Sequence, residues 1–265
     1  DIGNEFYRLW LDPTMTYSSA WFDGRVDQSL LTAQIAKYER ILNLLQPQPG
    51  ARILEIGCGW GGFAEMAAKR GCHVHGITLS KEQLNYAESR MKNAGLDQQV
   101  QLEFLDYRDL AGQYDHIVSI DMFEAVGERY WQTYMNQLFR CLKPGGTAVI
   151  QTITIANDRF DEYRVGTDFI QQYIFPGGML PSTDVLQQQV SQAGLVSEHL
   201  EDFGRDYAET LRRWRNAFDA RRTEVLLQGF DEKFIRLWRF YLSYCEAAFD
   251  EAATGVVHLR VRKPE

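Results

Sequence analysis

An acid and four glycines crowd into one short stretch, Glu55-Ile56-Gly57-Cys58-Gly59-Trp60-Gly61-Gly62. Glycines in such a loop let a ligand reach backbone that a Cβ would keep away. The apolar run Ile53 to Ile56 reads as a buried strand, and Phe63 to Lys69 as a helix. Strand, glycine turn and helix together form the ligand corner of a doubly wound α/β sheet. Three more stretches fall where later strands would end: Thr78-Leu79-Ser80, Asp106-Tyr107-Arg108 and Ile120-Asp121-Met122-Phe123-Glu124. Hydroxyl and amide groups at 78–83 suit ribose hydroxyls, and Tyr107 with Ile120 would sandwich an adenine ring. Glu124 has two readings. One is an acid favoured by a helix N-terminus. The other is a site acid that orders a base or stabilises positive charge.

The spacing alone leaves the ligand open. Gly57-x-Gly59-x-x-Gly62 meets the dinucleotide fingerprint, but that site needs an acid about 20 residues on. Here the strand His73 to Ile77 ends in Thr78-Leu79-Ser80, with no carboxylate. Glu55-x-Gly57-x-Gly59-x-Gly61 fits the E/D-x-G-x-G-x-G loop of S-adenosylmethionine (SAM) methyltransferases, which packs on the amino-acid end of the cofactor. SAM is favoured; a nucleotide and a structural glycine turn are the alternatives.

These residues need a scaffold, and the chain alternates accordingly. An aromatic leader (Phe6, Tyr7, Trp10, Tyr17, Trp21, Phe22) precedes a helix over 31–45, ended by Pro47 and Pro49-Gly50. Strands are predicted at 51–56, 72–77, 100–105, 115–120 and 147–153. Helices are predicted at 63–70, 81–94 (opened by a Ser80-x-x-Gln83 capping box) and about 128–141. Lys143-Pro144-Gly145-Gly146 reads as a tight turn. Strands alternating with helices argue a parallel sheet. Residues 154–180 break the rhythm, as site-covering insertions do. Helices at 183–193, 206–226 and 231–250, a strand near 195–203 and a closing strand at 256–261 follow.

Length and composition set bounds. The 265 residues, 45% hydrophobic, suit one globular domain with a core that needs no disulfide or structural metal. The four cysteines, at 58, 72, 141 and 245, form no C-x-x-C pair and read as reduced thiols of a cytosolic protein. His73 and His75 share a strand face but lack a third ligand, so no metal is expected. A net charge of −8 argues against nucleic acid. No apolar run approaches the ~20 residues of a membrane span, and no signal peptide is expected.

Several ordered motifs resemble one family, the cyclopropane fatty acid synthases with the mycolic acid cyclopropane synthases. They are Met15 to Phe22, Leu54 to Gly62, Gly76-Ile77-Thr78-Leu79-Ser80-x-x-Gln83, Met122-Phe123-Glu124, Thr152-Ile153, Phe175-Pro176-Gly177-Gly178 and Asp206-Tyr207-x-x-Thr210-Leu211. The resemblance covers nearly the whole chain, without the additional N-terminal domain of some bacterial members. It implies a class I SAM-methyltransferase, Rossmann-like sheet, mostly parallel with the last strand antiparallel. The helical cap would be 1–50, the SAM-binding core 51–153, the acyl-pocket cover 154–181 and 205–250, and the closing strand 255–262, all in one domain, 1–265.

The resemblance also implies the chemistry. SAM methylates the double bond of an unsaturated acyl chain, leaving S-adenosylhomocysteine and a carbocation; a bound bicarbonate then removes a proton and a ring closes. Cofactor contacts would fall on Tyr17, Ser18, Glu55, Gly57, Cys58, Gly59, Trp60, Gly61, Thr78, Leu79, Gln83, Tyr107, Arg108 and Ile120. Bicarbonate would be held at Ser19, Glu124, Gln151, Ile153 (backbone) and Tyr207. Implied partners are an unsaturated phospholipid or acyl-carrier substrate, a peripheral contact with the inner face of the membrane from the cytoplasm, and a possible homodimer.

This chain departs from the pattern at the base site. Ser19 replaces the usual Cys, Gln151 the usual His, and Ala125 a common His. Ser and Gln still donate hydrogen bonds, but neither carries charge, and charge-assisted bonds are about twice as strong. The expectation is an altered base site whose carbocation loses a different proton, giving a methyl- or methylene-branched chain. Phe123, Phe169, Tyr173 and Phe175 are expected to line an acyl tunnel. Six arginines within 205–222, Arg212 and Arg213 among them, are either a solvated helix face or a contact for anionic lipid or an acidic carrier. Competing functions are methylation of a small hydrophobic molecule and a binding protein without activity.

Overall fold

The computed structural model describes residues 2–265. In chain order the elements are α1 (Asn4–Arg8), α2 (Leu30–Leu45), β1 (Arg52–Ile56), α3 (Gly62–Lys69), β2 (His73–Thr78), α4 (Lys81–Asn93), β3 (Val100–Phe104) and β4 (Tyr114–Ile120). There follow α5 (Trp131–Cys141), β5 (Leu142–Ile155), α6 (Phe160–Val165), α7 (Phe169–Tyr173), α8 (Thr183–Gln192), β6 (Val196–Asp202), α9 (Gly204–Ala220), α10 (Arg222–Leu227), α11 (Glu232–Asp250) and β7 (Thr254–Arg262).

The seven strands order as β3-β2-β1-β4-β5-β7-β6. The first five are parallel to their neighbours. β7 runs antiparallel to both β5 and β6, wedged between them. The order reverses at β1, so the ends of β1 and β4 open the crevice where such sheets bind ligands.

Alternation along the strands feeds two cores. Ile53, Val74, Val118 and Val149 pack under α2 and α3. Leu54, Ile77, Ile117 and Ile150 face α5 and α8 on the other side. A third cluster joins Phe6 and Trp10 to α9 and α11. The aromatic leader is thus part of the packed structure. It is tied to the glycine loop as well: Trp60 Nε1 donates to Asn4 Oδ1 at 2.7 Å, and Arg90 Nη1 donates to the Thr14 carbonyl at 2.8 Å.

Two expectations change in detail. Lys143 to Gly146 is not a turn ahead of the strand but an irregularity inside β5, where the register with β4 slips between Tyr114 and His116. Gly145 supplies the positive φ of 72° there, and its N–H donates to the Lys263 carbonyl. The helix expected over 206–226 breaks at Arg221 into α9 and α10. His75, on a strand face shared with His73, bonds the Tyr114 hydroxyl and Glu103.

Candidate active site

Glu124 follows β4 and lies buried beside β5. Its Oε2 accepts from the Thr152 hydroxyl at 2.6 Å, and Oε1 accepts from the Ile153 N–H at 3.4 Å. Burial and the nearby Asp121 push its carboxyl well up from the usual range. Tyr207, on α9, packs on Phe249 with ring centroids 4.6 Å apart. Both side chains line one cavity of about 380 Å³, together with Tyr17, Asp121, Ile153 and Tyr241. The structure therefore brings Glu124, Ile153 and Tyr207 together.

Ser19 and Gln151 do not join them as anion ligands. Ser19 is fully buried and its hydroxyl donates to the Ala20 carbonyl at 2.9 Å. Gln151 is engaged at both ends. Arg40 Nε donates to His258 Nδ1 at 3.0 Å. Guanidinium only donates, so Nδ1 is the acceptor and Nε2 holds the imidazole proton. That Nε2 donates to Gln151 Oε1 at 2.9 Å, which turns the Gln151 amide nitrogen toward Asp121, 3.3 Å from each carboxylate oxygen. Burial holds the His258 imidazole neutral, far below its usual range. Ser19 and Gln151 are committed elsewhere, the Ile153 N–H goes to Glu124, and two carboxyls face the same space. These residues do not fit bicarbonate.

A buried cation, unforeseen in the sequence, organises the cofactor side. Lys37 on α2 is fully buried and its ammonium donates to the Ser18 hydroxyl. Gln34, one turn earlier, donates to the Ser18 carbonyl at 2.8 Å. Burial lowers the Lys37 pKa against the pull of Asp121, Asp12 and Glu55. Burial raises Glu55 far above the carboxylate range, with Lys37 and Arg90 opposing. The signal was a Lys at 37 on the apolar face of Ala33, Ile41 and Leu45. Asp121 and His258 carried no such sign, since their partners lie 30 and 107 residues away.

The loop fits SAM on two counts. Nothing stands within 4 Å of the place a Cβ on Gly59 would occupy, leaving open space over a backbone with φ of 51°. Among the described residues, Glu55 Oε2 is buried with no hydrogen-bond partner, an acceptor waiting for a donor such as the cofactor's ammonium. A Cβ on Gly57, at φ 80°, would lie 2.4 Å from Met122 Sδ, so that turn requires glycine. The Gly57 and Cys58 N–H groups both donate to the Ile77 carbonyl, fixing the loop to β2. Trp60 is buried beside it, and Gly61 (φ 83°) caps α3.

The remaining cofactor candidates scatter more. Tyr17 lines the cavity and its hydroxyl pairs with that of Tyr241 at 2.7 Å. Thr78 Oγ1 donates to Gln83 Oε1 at 3.1 Å, at the end of β2. Leu79 is 60% exposed. Arg108 is exposed and ion-pairs with Asp106 at 2.7 Å. Tyr107 packs on Tyr134, while Ile120 joins the cluster on the opposite side of the sheet. Of the expected tunnel aromatics only Phe175 lines the cavity. Phe123 is core, stacked on Trp131. Phe169 packs on Phe240, and Tyr173 is exposed.

The sheet order, the glycine turn after β1 and the covered cavity at the ends of β4 and β5 define a class I SAM-methyltransferase fold. The sequence profile described as mycolic acid cyclopropane synthetase matches residues 1–259, and the chain belongs to that family. The tuberculostearic acid methyltransferase UfaA1 of Mycobacterium tuberculosis is 43% identical over 256 residues, covering 94% of this chain and 60% of the relative. The cyclopropane-fatty-acyl-phospholipid synthase of Escherichia coli K12 is 41% identical over 251 residues, covering 94% and 62%. The chain thus spans about six tenths of these curated relatives' length. Mycolic acid cyclopropane synthase CmaA1, solved with SAH and CTAB, superposes with a TM-score of 0.91 at 31% identity, covering 99% of this chain and 95% of that one.

Proposed function

We propose that this chain is a SAM-dependent C-methyltransferase acting on the double bond of an unsaturated fatty acyl chain, through a carbocation. The observation that carries this is the cavity. Its walls are mostly apolar and aromatic (Ile155, Ile170, Leu180, Leu211, Phe249), yet they include Asp121, Glu124 and Tyr207, which act electrostatically on one another. A long hydrocarbon with a reacting centre at one point along it suits such a space; a polar metabolite does not.

The cavity wall includes Phe175 and Tyr244, which are 47% and 38% exposed. Beside Tyr244 lie Phe169 and the exposed Phe240. An exposed apolar patch of this kind suits contact with lipid. No helix among the described residues is long and apolar enough to cross a membrane. A peripheral contact at the inner face of the membrane, with the acyl chain entering past these aromatics, is the corresponding reading. Among the described residues lining the cavity Arg159 is the only cation, and suits the phosphate or carboxyl end of the substrate.

Bound SAM supplies an electrophilic methyl group. Tyr17, Ser18, Glu55 and the 57–61 backbone would hold it, with Lys37 fixing Ser18 from below. Once the alkene carbon is methylated, its π pair has become the new C–C bond and the neighbouring carbon is cationic. The faces of Tyr17, Tyr207 and Tyr241 and the carboxyls at 121 and 124 favour positive charge there. Loss of a proton from the new methyl then closes a cyclopropane; a 1,2-hydride shift that first moves the cation to the methylated carbon lets the same loss give a methylene branch, and a saturated methyl branch needs a reductant as well.

The test is mass spectrometry and NMR of lipids after incubation with SAM and monounsaturated phospholipid vesicles. Acyl chains heavier by one CH₂ support the reading. Methylation of an added hydrophobic amine, with untouched lipid, would replace it.

A further inference from the structure

We propose that the Asp121 carboxylate is the base that accepts the proton in the final step, in place of bicarbonate; this rests on the functional reading above. Three observations meet at this residue. First, Asp121 lines the same cavity as Glu124 and Tyr207, directly after β4. Second, its backbone holds φ at 53°, a left-handed value that is uncommon for residues other than glycine. Such conformations cluster at functional sites. Third, its carboxylate is oriented but not capped. Gln151 on β5 reaches both oxygens from 3.3 Å, longer than a strong charged bond.

The groups facing Asp121 come from several elements: Lys37 on α2, Gln151 on β5, Glu124 just downstream and Tyr207 on α9. Burial raises the Asp121 pKa, with Lys37 opposing, which places it near neutrality as a general base requires. Glu124 is less available, since both its oxygens already accept from Thr152 and Ile153. The His258–Gln151 chain serves to aim the amide at Asp121.

The step balances without another reactant. The cation loses H⁺ from the added methyl carbon to Asp121. The C–H pair becomes the third ring bond; where a hydride has first shifted from the methylated carbon to the cationic one, the cation adjoins the methyl and the same pair becomes the C=C bond of a methylene branch. Asp121 ends neutral and releases the proton when product leaves.

The experiment compares the protein with Asp121→Asn and Asp121→Gly on monounsaturated phospholipid vesicles, in CO₂-stripped buffer and with bicarbonate restored. SAM binding is measured in parallel by calorimetry. Glycine suits the left-handed backbone, so Asp121→Gly keeps the fold. Expected are wild-type turnover indifferent to bicarbonate, and a fall of about 10²-fold or more in Asp121→Asn, with SAM affinity held within about twofold. Partial rescue of Asp121→Gly by bicarbonate or acetate is also expected. Wild-type turnover that stops without bicarbonate would overturn the proposal. So would Asp121→Asn turning over at nearly the wild-type rate, or failing to bind SAM. Wild-type protein that alkylates no lipid would overturn the functional reading and this step with it.

Discussion

Gln151 on β5 stands directly opposite His258 on β7, and the imidazole Nε2 donates to the Gln151 side-chain oxygen at 2.9 Å. An imidazole is therefore present at this level of the sheet, one strand over, but it acts through an amide. Arg40 fixes its tautomer and is itself held by Glu201 at 2.5 Å and by the face of Trp21 at 3.7 Å. Replacing His258 with Ala leaves a buried amide oxygen without a donor, at a cost of about 1–3 kcal/mol. Urea denaturation should show that loss. Turnover should fall further than SAM binding, because the amide no longer points at Asp121.

Glu124 gives a pH signature. Its folded pKa is raised from 4.5 to about 8. The stability tied to its neutral form is therefore complete below the ordinary carboxyl value and lost as pH rises through about 8. Glu124→Gln removes that loss. The variant should match the wild type near pH 5 and exceed its unfolding free energy by about 1 kcal/mol or more near pH 9. Equal pH profiles in urea melts would remove the assignment.

Lys37 is the counter-charge for Asp12, Glu55 and Asp121. Lys37→Met keeps the length and drops the charge. Breaking a buried ionic group costs about 3–5 kcal/mol when the partners stay charged. Their folded pKa values rise further in the variant, so the loss should be larger at about pH 8 than at about pH 6. Ser18 is released too, and SAM affinity measured by calorimetry should drop about tenfold.

The arginines of α9 behave differently from a lipid-binding patch. Arg212 pairs with Glu209, Glu246 and Asp250. Arg213 pairs with Glu209 and donates to the Gln28 and Val26 carbonyls at 2.6 Å. Arg213→Ala should cost stability, about 1–3 kcal/mol, and leave vesicle binding intact. Phe240→Ser, in the exposed aromatic patch, should weaken vesicle flotation and leave the melting temperature nearly unchanged.

The alternation of strand and helix was legible because each half-buried element carries its period in its own residues. The sheet edge was not. β7 inserts between β5 and β6 through contacts that no local pattern encodes, and Lys143–Gly146 looks like a turn because Pro and Gly also serve bulges. At the site, Glu55, Glu124 and the glycine loop were readable from their places at strand ends. Gln151 read as the loss of an imidazole, since its partner lies 107 residues away. Arg212 read as free charge because two of its three acidic partners come from α11, and Arg213 because two of its acceptors are the distant Val26 and Gln28 carbonyls.

The most direct measurement uses SAM with a fully deuterated methyl group and monounsaturated phospholipid vesicles, followed by mass spectrometry and deuterium NMR of the acyl chains. The account predicts label on carbon within the chain, with the ring or methylene product keeping two of the three deuterium atoms. Acyl chains without deuterium, while SAM is consumed on another acceptor, would contradict it.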